Sequence, residues 1–527
     1  MNDRSAWAPL AHKPFRALWC AGAVVNLAIW MQTVGAAWIM TTLSSSPLMV
    51  SLVQTAMTLP VFLFGLPGGV VADLVDRRRW LIFTQGTMLL AAVLLCGLAF
   101  AGFLQDWSLL LLTFLLGTGS ALNMSAWMAT TVAVLPRDQV PAAVSLSAIS
   151  TNVARALGPA LAGLLIAWTG SASVFVVIAL CFSGVMVFIF CWKPRRQPEG
   201  LPPETFTGGM RSGLRYIRHS SVLFSALKQV FVFTSCASAL WALLPLVAKQ
   251  ELGLDAGGYG VLMGCMGIGA VLAAINLTTL YRRFSLRQLI VVGAIAFAAV
   301  TLAAALLHSQ LLVCAALIVA GMAWMAVNAT VATVVQTCAA DWVRARVASV
   351  YLLMYMGAMA IGGAVWGALA QYLGLSQSLI ISALAIVLGL YVTRTGQLVL
   401  GQEADFAQAQ QTDKLLLAGD VAHSDGPVSV EISYRVPAQE CTLFLNSVYS
   451  VGQSRRRNGA QNWRLYRDLS ATDHYVERFI VESWLDYLRQ CSRVTQGDES
   501  GEQLLARFRC QQRSVRRYIY QAPADHF

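Results

Sequence analysis

For three quarters of its length the chain alternates long apolar runs with short polar breaks, and then the pattern stops. A helix crossing a ~30 Å hydrocarbon core needs about 20 apolar residues. Runs of that length fall near 15–40, 48–72, 80–103, 108–135, 142–168 and 173–192. A second set falls near 222–248, 257–280, 288–307, 310–337, 346–371 and 376–395. Twelve membrane helices are predicted. The polar gap at 193–221, with PRRQPEG and PPE, separates a six-helix half over 1–192 from another over 222–396. An echo supports two related halves: Asp138, Val140, Ala142 and Val144 recur as Asp341, Val343, Ala345 and Val347, each set between the fourth and fifth spans of its half.

After Arg394 the period changes. Residues 397–427 are polar and turn-rich and predict a linker. VSVEISYRV alternates as a strand, AQECTLFLNSVYSVGQSRRR reads as a helix, and NWRLYRDLS and HYVERFIVES read as strands. WLDYLRQCSRVTQG opens a second helix and SVRRYIYQ closes the series, a βαββαβ order of ferredoxin-like type over 428–522. The predicted fold class is therefore an all-α polytopic membrane protein of twelve transmembrane helices in two six-helix repeats, plus a small cytoplasmic α+β ferredoxin-like C-terminal domain.

Composition supports the membrane assignment and adds a direction. The chain is 57% hydrophobic and 12% charged, where soluble domains carry about 25% charge. Arg4, Lys13 and Arg16, then Arg77, Arg78 and Arg79, Arg137, the arginines and lysine of 193–218, Arg282, Arg283 and Arg287, Arg344 and Arg346, and Arg394 all fall on one side if the spans alternate. Lys249 stands nearly alone on the other. The positive-inside rule places both termini in the cytoplasm. The net charge of +11 is then a topology signal and no nucleic-acid partner is expected. The first run is too long for a signal-peptide core, and Asn26 and Gln32 interrupt it. The eleven cysteines form no C-x-x-C pair, so no metal site, disulfide framework or cofactor is predicted.

Three groups of residues carry candidate chemistry. Gly69, Asp73, Arg77 and Arg78 close the second span with the spacing G-x-x-x-D-x-x-x-R-R, a dense knot of opposite charge at a membrane edge. Asn152, Arg155, Gly158, Pro159 and Gly163 lie on the fifth span, where proline removes a helix hydrogen bond and the glycines flatten a packing face. Arg155 lies ~20 Å into that helix at ~1.5 Å per residue, and a charge at that depth faces a cavity or a partner unless it is structural. Asn26 with Trp30, Asn123 with Trp127, and Trp324 with Asn328 share helix faces at i, i+4, although tryptophan also belongs to interfacial belts. No Asp or Glu falls in the middle of a span, which suits a neutral or anionic cargo better than a cation.

The loop at 69–78 resembles the signature loop of the major facilitator superfamily, with Leu74 and Asp76 where a basic residue and a glycine are usual. The resemblance implies a cytoplasmic gate in which Asp73 faces the start of the eleventh helix near Arg346 and Arg77 pairs with Asp138. Asp76 is surplus to that gate and is expected to be solvated. G-P-x-x-x-G in the fifth span resembles the motif of proton-coupled exporters, and the first, fourth and tenth spans line the cavity in the superfamily. The whole layout is similar to the enterobactin-exporter-like branch, the transmembrane secretion effectors. The tail, with VESWLDYLRQCSRVTQGD, is similar to the dimeric α+β barrel of antibiotic-biosynthesis monooxygenases, which act on aromatic polyketides or haem. Tyr487 and Cys491 fall where such barrels often carry histidine, while Trp463, Tyr466 and Trp484 are expected in the core. Docking is expected of the tail rather than catalysis.

The expected function is export of a small amphipathic metabolite, siderophore- or antibiotic-like, by alternating access with proton antiport. The alternatives are a multidrug efflux pump, or a transporter fused to a tail enzyme or regulatory sensor. The sheet of the tail is expected to be too apolar on its second face to stay wet, so that it pairs with itself or with another protein. From the loop spacing, Asp73→Asn should impair transport while leaving membrane insertion intact, because orientation depends on the arginines. Normal transport by this variant at normal expression would show the knot to be an anchor only.

Overall fold

The computed structural model describes residues 7–136, 139–192, 213–340, 342–396, 422, 425–510 and 515–520, with the side chains at 70, 73, 74, 132, 141, 496, 497, 499 and 500 outside the description. Among the described residues, twelve helices are long and apolar enough to cross a membrane. They are α1 (Lys13–Leu43), α2 (Pro47–Leu74), α3 (Arg77–Phe100), α4 (Asp106–Ala133), α5 (Val140–Thr169) and α6 (Ala172–Cys191), then α7 (Ser221–Leu246), α8 (Ala256–Arg283), α9 (Leu286–Leu306), α10 (Gln310–Thr337), α11 (Arg344–Leu373) and α12 (Leu375–Thr393). Short polar residues start several of them. Asp76 is exposed as expected, and it also caps α3 by accepting from the Arg79 backbone N–H at 2.9 Å. Ser285 and Gln288 form a reciprocal capping box on α9.

The chain divides into two compact units. The first holds Met1–Leu201, Leu227–Val331 and Leu352–Thr395. Lipid is as apolar as leucine, so helices there are held by close packing and hydrogen bonds rather than by hydrophobic drive. Glycines supply the approach. A Cβ at Gly163 would stand 2.6 Å from the Ala256 carbonyl oxygen and 2.8 Å from Gly260 Cα, so α5 and α8 touch backbone to backbone. On α2 and α11, a Cβ at Gly367 would meet Ser51 Oγ at 1.7 Å. Beside it the Thr55 hydroxyl donates to the Ala360 carbonyl at 2.9 Å, and the Ser46 hydroxyl to Gln371 Oε1 at 3.0 Å. Lys249 Nζ donates to the Thr41 carbonyl, and Trp38 stacks on Tyr259 at 5.9 Å. These contacts join the two six-helix sets, and they gather at the helix ends remote from Lys13.

The second unit holds Pro202–Ala226, Ala332–Tyr351 and Gly396–Phe527. Its sheet comprises β1 (Val428–Arg435), β2 (Gln461–Arg467), β3 (His474–Val481) and β4 (Val515–Ile519) in the order β2-β3-β1-β4, every pair antiparallel. Helices α13 (Cys441–Asn458), α14 (Trp484–Ser492) and α15 (Gln496–Ala506) intervene. The single second helix expected from the sequence is broken, because Thr495 and Asp498 cap a new one. Val430, Ile432, Phe444, Val448 and Phe479 form the core with Trp463 and Trp484, as expected of both tryptophans. Tyr466 is the exception at 45% exposed: with Trp463 inward, the alternation of β2 turns Tyr466 out. The second sheet face is polar along β1, as the alternation of VSVEISYRV predicts. On β1 it is made by Ser429, Glu431 and Ser433, with Arg478 of β3 paired to Glu431 at 3.4 Å.

One acid is fully buried in this core. Glu477 has no exposure and accepts from Tyr434 Oη, Trp463 Nε1 and Arg455 Nε, each at 2.7 Å. Strand alternation places it inward between Tyr475 and Phe479, so its partners must satisfy it there.

Two further segments of the unit meet the tail through aromatic rings. Tyr216, in a short helix over 213–218, is buried and set edge-on to Trp342 at 5.6 Å. Its hydroxyl accepts from the Ala340 backbone N–H at 3.3 Å. The guanidinium of Arg457 lies 5.2 Å over Tyr216, and that of Arg493 lies 4.0 Å over Trp342. Such contacts contribute about 0.5–2 kcal/mol each, more when desolvated. Burial, then Arg456, Arg218 and Arg215, hold the nearby His219 below the usual imidazole value.

Replacing Glu477 by leucine strands the buried Arg455 charge beside a single remaining acid, Glu502 at 3.5 Å. The variant should lose about 3–5 kcal/mol of tail stability, read by urea titration of tail tryptophan fluorescence in the whole protein. A loss under about 1 kcal/mol would show that the network is incidental.

Candidate substrate site

The fifth helix assembles the site. Pro159 has no N–H to give the carbonyl four residues back, which is that of Arg155. A Cβ at Gly267 of α8 would come within 3.2 Å of this carbonyl oxygen. One residue before the proline, Gly158 lets α5 approach α1: a Cβ there would lie 2.6 Å from Trp30 Cβ and 3.4 Å from the Met31 nitrogen. That approach brings the Arg155 guanidinium to 5.2 Å over the Trp30 ring. Asn26, one turn earlier on α1, donates to the Thr151 hydroxyl at 3.3 Å and ties the same two helices.

From Trp30 an aromatic chain crosses to the second half. Trp30 lies 6.4 Å from Trp241 of α7, and Trp241 lies 5.4 Å from Trp324 of α10. Trp324 then contacts Phe233, Phe297 and Tyr355 at 5.8, 5.6 and 6.2 Å. Tyr355, on α11, stands within electrostatic reach of Arg155. Arg155 Nε is buried without a hydrogen-bond partner, as is Trp241 Nε1. Gln32, buried on the same helix as Trp30, leaves both amide atoms unpartnered. A cation, a run of ring faces and the orphaned Arg155 Nε and Trp241 Nε1 thus meet where the two helix sets face each other, while Gln32, two residues from Trp30, lies on another face of α1. Such a surface suits a ligand with aromatic faces and anionic oxygens.

The other expected residues divide. Trp324 and Trp30 stand in the cluster, and Asn328 donates to the Trp324 carbonyl at 2.9 Å, holding the helix turn behind that ring. Asn123 is turned elsewhere: it is buried and accepts from Thr84 of α3 at 3.1 Å. Trp127 packs against Gly22 of α1. This pair serves packing within the first six helices, because shared-face spacing does not say which neighbour the face meets. Trp241, Tyr355, Phe233 and Phe297 were not singled out in the sequence. Aromatic residues on apolar helices give no periodic contrast, and Trp241 has no amide one turn on.

At the loop between α2 and α3, the tight approach is made by Gly68, whose Cβ would meet Leu122 at 2.7 Å. At Gly69 the nearest atom, in Ser125, is 3.9 Å away. Arg78 donates to the carbonyls of Ile189 and Phe190 at 3.3 and 2.5 Å, capping the end of α6. Arg77 is exposed and forms no ion pair among the described residues. Asp138 and the side chain of Asp73 lie outside the described residues.

Two bundles of six spans enclosing a mid-helix cation and an aromatic face define a membrane transporter of the major facilitator type. The chain belongs to the transmembrane secretion effector family, whose model matches residues 4–523 and so takes in the tail. It is 20% identical over 363 residues to the Staphyloferrin A transporter of Staphylococcus aureus, covering 68% of this chain and 90% of that one. It is 24% identical over 273 residues to the enterobactin exporter EntS of Shigella flexneri, covering 50% and 62%. An MFS-type transporter of Bacillus subtilis, YfiS, is 28% identical over 189 residues, covering 35% of this chain and 44% of its own length. The matched region thus spans less than two thirds of the exporter and of the Bacillus protein. Among solved structures, an inward-facing bacterial homologue of the lysosomal transporter Spinster matches with TM-score 0.61 at 15% identity, covering 74% and 98%. The nucleoside transporter NupG matches at 0.61 and 11%, covering 72% and 99%. At these identities the likeness is one of fold.

The Asn123–Trp127 and Trp324–Asn328 pairs should behave differently on mutation. Asn123→Ala removes one of two acceptors of the buried Thr84 hydroxyl, which keeps the Leu81 carbonyl at 3.2 Å, and should cost about 0.5–1.5 kcal/mol of stability, seen as a lower unfolding temperature in detergent with KM for a transported compound unchanged. Trp324→Ala should raise KM about tenfold or more, with Trp324→Phe recovering part of it. A raised KM in the first variant, or an unchanged KM in the second, would reverse these roles.

Proposed function

We propose that the protein exports a small amphipathic anion, of siderophore-like chemistry, from the cytoplasm across a bacterial inner membrane by alternating access. The observation that carries this reading is Arg155 set over Trp30 at 5.2 Å, in a helical interior without a mid-span acid. A catecholate or carboxylate on an aromatic or oxygen-rich body satisfies both the cation and the rings. The functions of the relatives, enterobactin export and Staphyloferrin A transport, lie within that class. The packing of α1, α2 and α5 on α7, α11 and α8 at the ends remote from Lys13 supports a cavity that opens toward the terminal side. Proton antiport is the proposed drive, with Asp73 and Asp138 as carriers. Asp73 lies in the loop that carries the superfamily-like spacing, and Asp138 in the next cytoplasmic loop.

The tail is proposed as a ferredoxin-like cytoplasmic domain that docks and regulates rather than catalyses. Its strand order, β2-β3-β1-β4, supports that fold. The grip of Arg457 and Arg493 on Tyr216 and Trp342 supports docking.

In everted vesicles, Arg155→Ala should abolish uptake of a catecholate such as enterobactin and spare a neutral amphiphile. Arg155→Lys should recover only part of it, because an ammonium lacks the planar bidentate fork. An unchanged KM for the catecholate in Arg155→Ala, at lowered expression, would make the residue structural.

A further inference from the structure

Between its sheet and its helices the tail holds a partly open cavity of about 100 Å³. It is lined by Ser454, Arg455 and Asn458 of α13, by Gln490 and Cys491 of α14, and by Arg509 and Arg517 among others. About three waters would fill that volume at ~30 Å³ each.

The polar lining is unbalanced in both signs of hydrogen bonding. Arg455 is spent on Glu477 and Glu502, at 2.7 and 3.5 Å. Arg509 and Arg517 form no ion pair among the described residues. Arg517 donates Nε to the Tyr487 hydroxyl at 2.7 Å, and Arg509 Nε is buried without a partner. These groups call for an acceptor. Asn458 and Gln490, 2% and 4% exposed, call for a donor. Each uses its amide nitrogen locally, on Ser454 at 3.5 Å and on the Arg455 carbonyl at 3.3 Å, and each leaves its amide oxygen unpartnered. A buried polar atom without a partner costs about 1–3 kcal/mol, so two amide oxygens and a guanidinium nitrogen gathered at one cavity favour a polar ligand there.

We infer that this cavity binds a small carboxylate that carries a hydrogen-bond donor beside the carboxyl group, of lactate or alanine size. Its carboxylate pairs with Arg509 and Arg517, and its hydroxyl or ammonium donates to Asn458 and Gln490. The site is separate from the proposed export path and does not depend on the cargo. It stands at the root of the aromatic contacts described above: residues 454–458 and 490–494 wall the cavity and also carry Arg457 and Arg493. Occupancy is therefore placed within one helix turn of the grip on Tyr216 and Trp342.

Cys491 stands in the cavity wall outside any disulfide and reports occupancy without transport. Whole protein in detergent is treated with iodoacetamide, and alkylation is followed residue by residue by mass spectrometry. Lactate or alanine at about 20 mM should slow alkylation of Cys491 by threefold or more while Cys510 reacts at its own rate. Lactate acting alone selects the hydroxyl donor and alanine acting alone the ammonium. 1,2-Propanediol, which lacks the carboxylate, should protect about tenfold less well, and so should propionate, which lacks the donor. Arg509→Gln combined with Arg517→Gln should remove protection, with an unchanged rate at Cys441 showing the fold intact. Equal protection by the diol, by propionate and by the two ligands would overturn the inference in the wild-type protein alone. So would no protection by either ligand, or protection that survives the double substitution.

Discussion

A guanidinium placed inside a helical bundle with no acid to match it is the constraint on which the membrane unit depends. A lone arginine at the centre of a span costs about 2.5–3.5 kcal/mol on insertion scales. The structure meets that cost with Trp30, whose ring face lies under Arg155, and with Tyr355 nearby. Reaching Trp30 requires α5 to lie close to α1, which Gly158 permits, while Gly163 lets the same helix close on Gly260 of α8. Pro159 then frees the Arg155 carbonyl at the point where α8 passes. The G-P-x-x-x-G spacing is thus the packing geometry that one charge needs.

The tail solves a related problem with the opposite sign. Glu477 is buried in a core of Val, Phe and Trp side chains and is held by three donors. Arg455, the cation among them, also reaches Glu502, so the pair does not stand alone. The same helix continues to Arg457, and α14 to Arg493, so the elements that fill the core are those that grip Tyr216 and Trp342. That the family model runs through residue 523 fits a tail built with the transporter rather than appended to it.

Much of this was legible in the sequence, and the remainder was hidden for definite reasons. Twelve spans follow from the lengths of the apolar runs, since little else satisfies a backbone in lipid. Arg155, Gly158 and Pro159 stood out because charge and proline are rare inside spans. Glu477 was not singled out, because an acid on a strand gives no sign in the sequence that donors wait for it in the core. Trp241, Tyr355 and Phe297 stayed hidden because aromatic residues on a greasy helix offer no contrast. Asn123 shows the converse: its spacing from Trp127 is that of a shared face, but the face meets Thr84 within its own half. The break between α14 and α15 was legible as T-x-x-D at Thr495 and Asp498, and was passed over for a longer helix. The grip on Tyr216 and Trp342 joins residues more than a hundred positions apart, which no local pattern encodes.

The most direct measurement is an electron cryomicroscopy map of the protein with enterobactin bound. Density for the ligand is expected between Trp30, Trp241 and Trp324, with a catecholate oxygen within hydrogen-bond reach of the Arg155 guanidinium, about 2.7–2.9 Å. Ligand density elsewhere, with Arg155 still stacked on Trp30 and touching nothing but protein, would contradict the claim that this charge is held for the cargo.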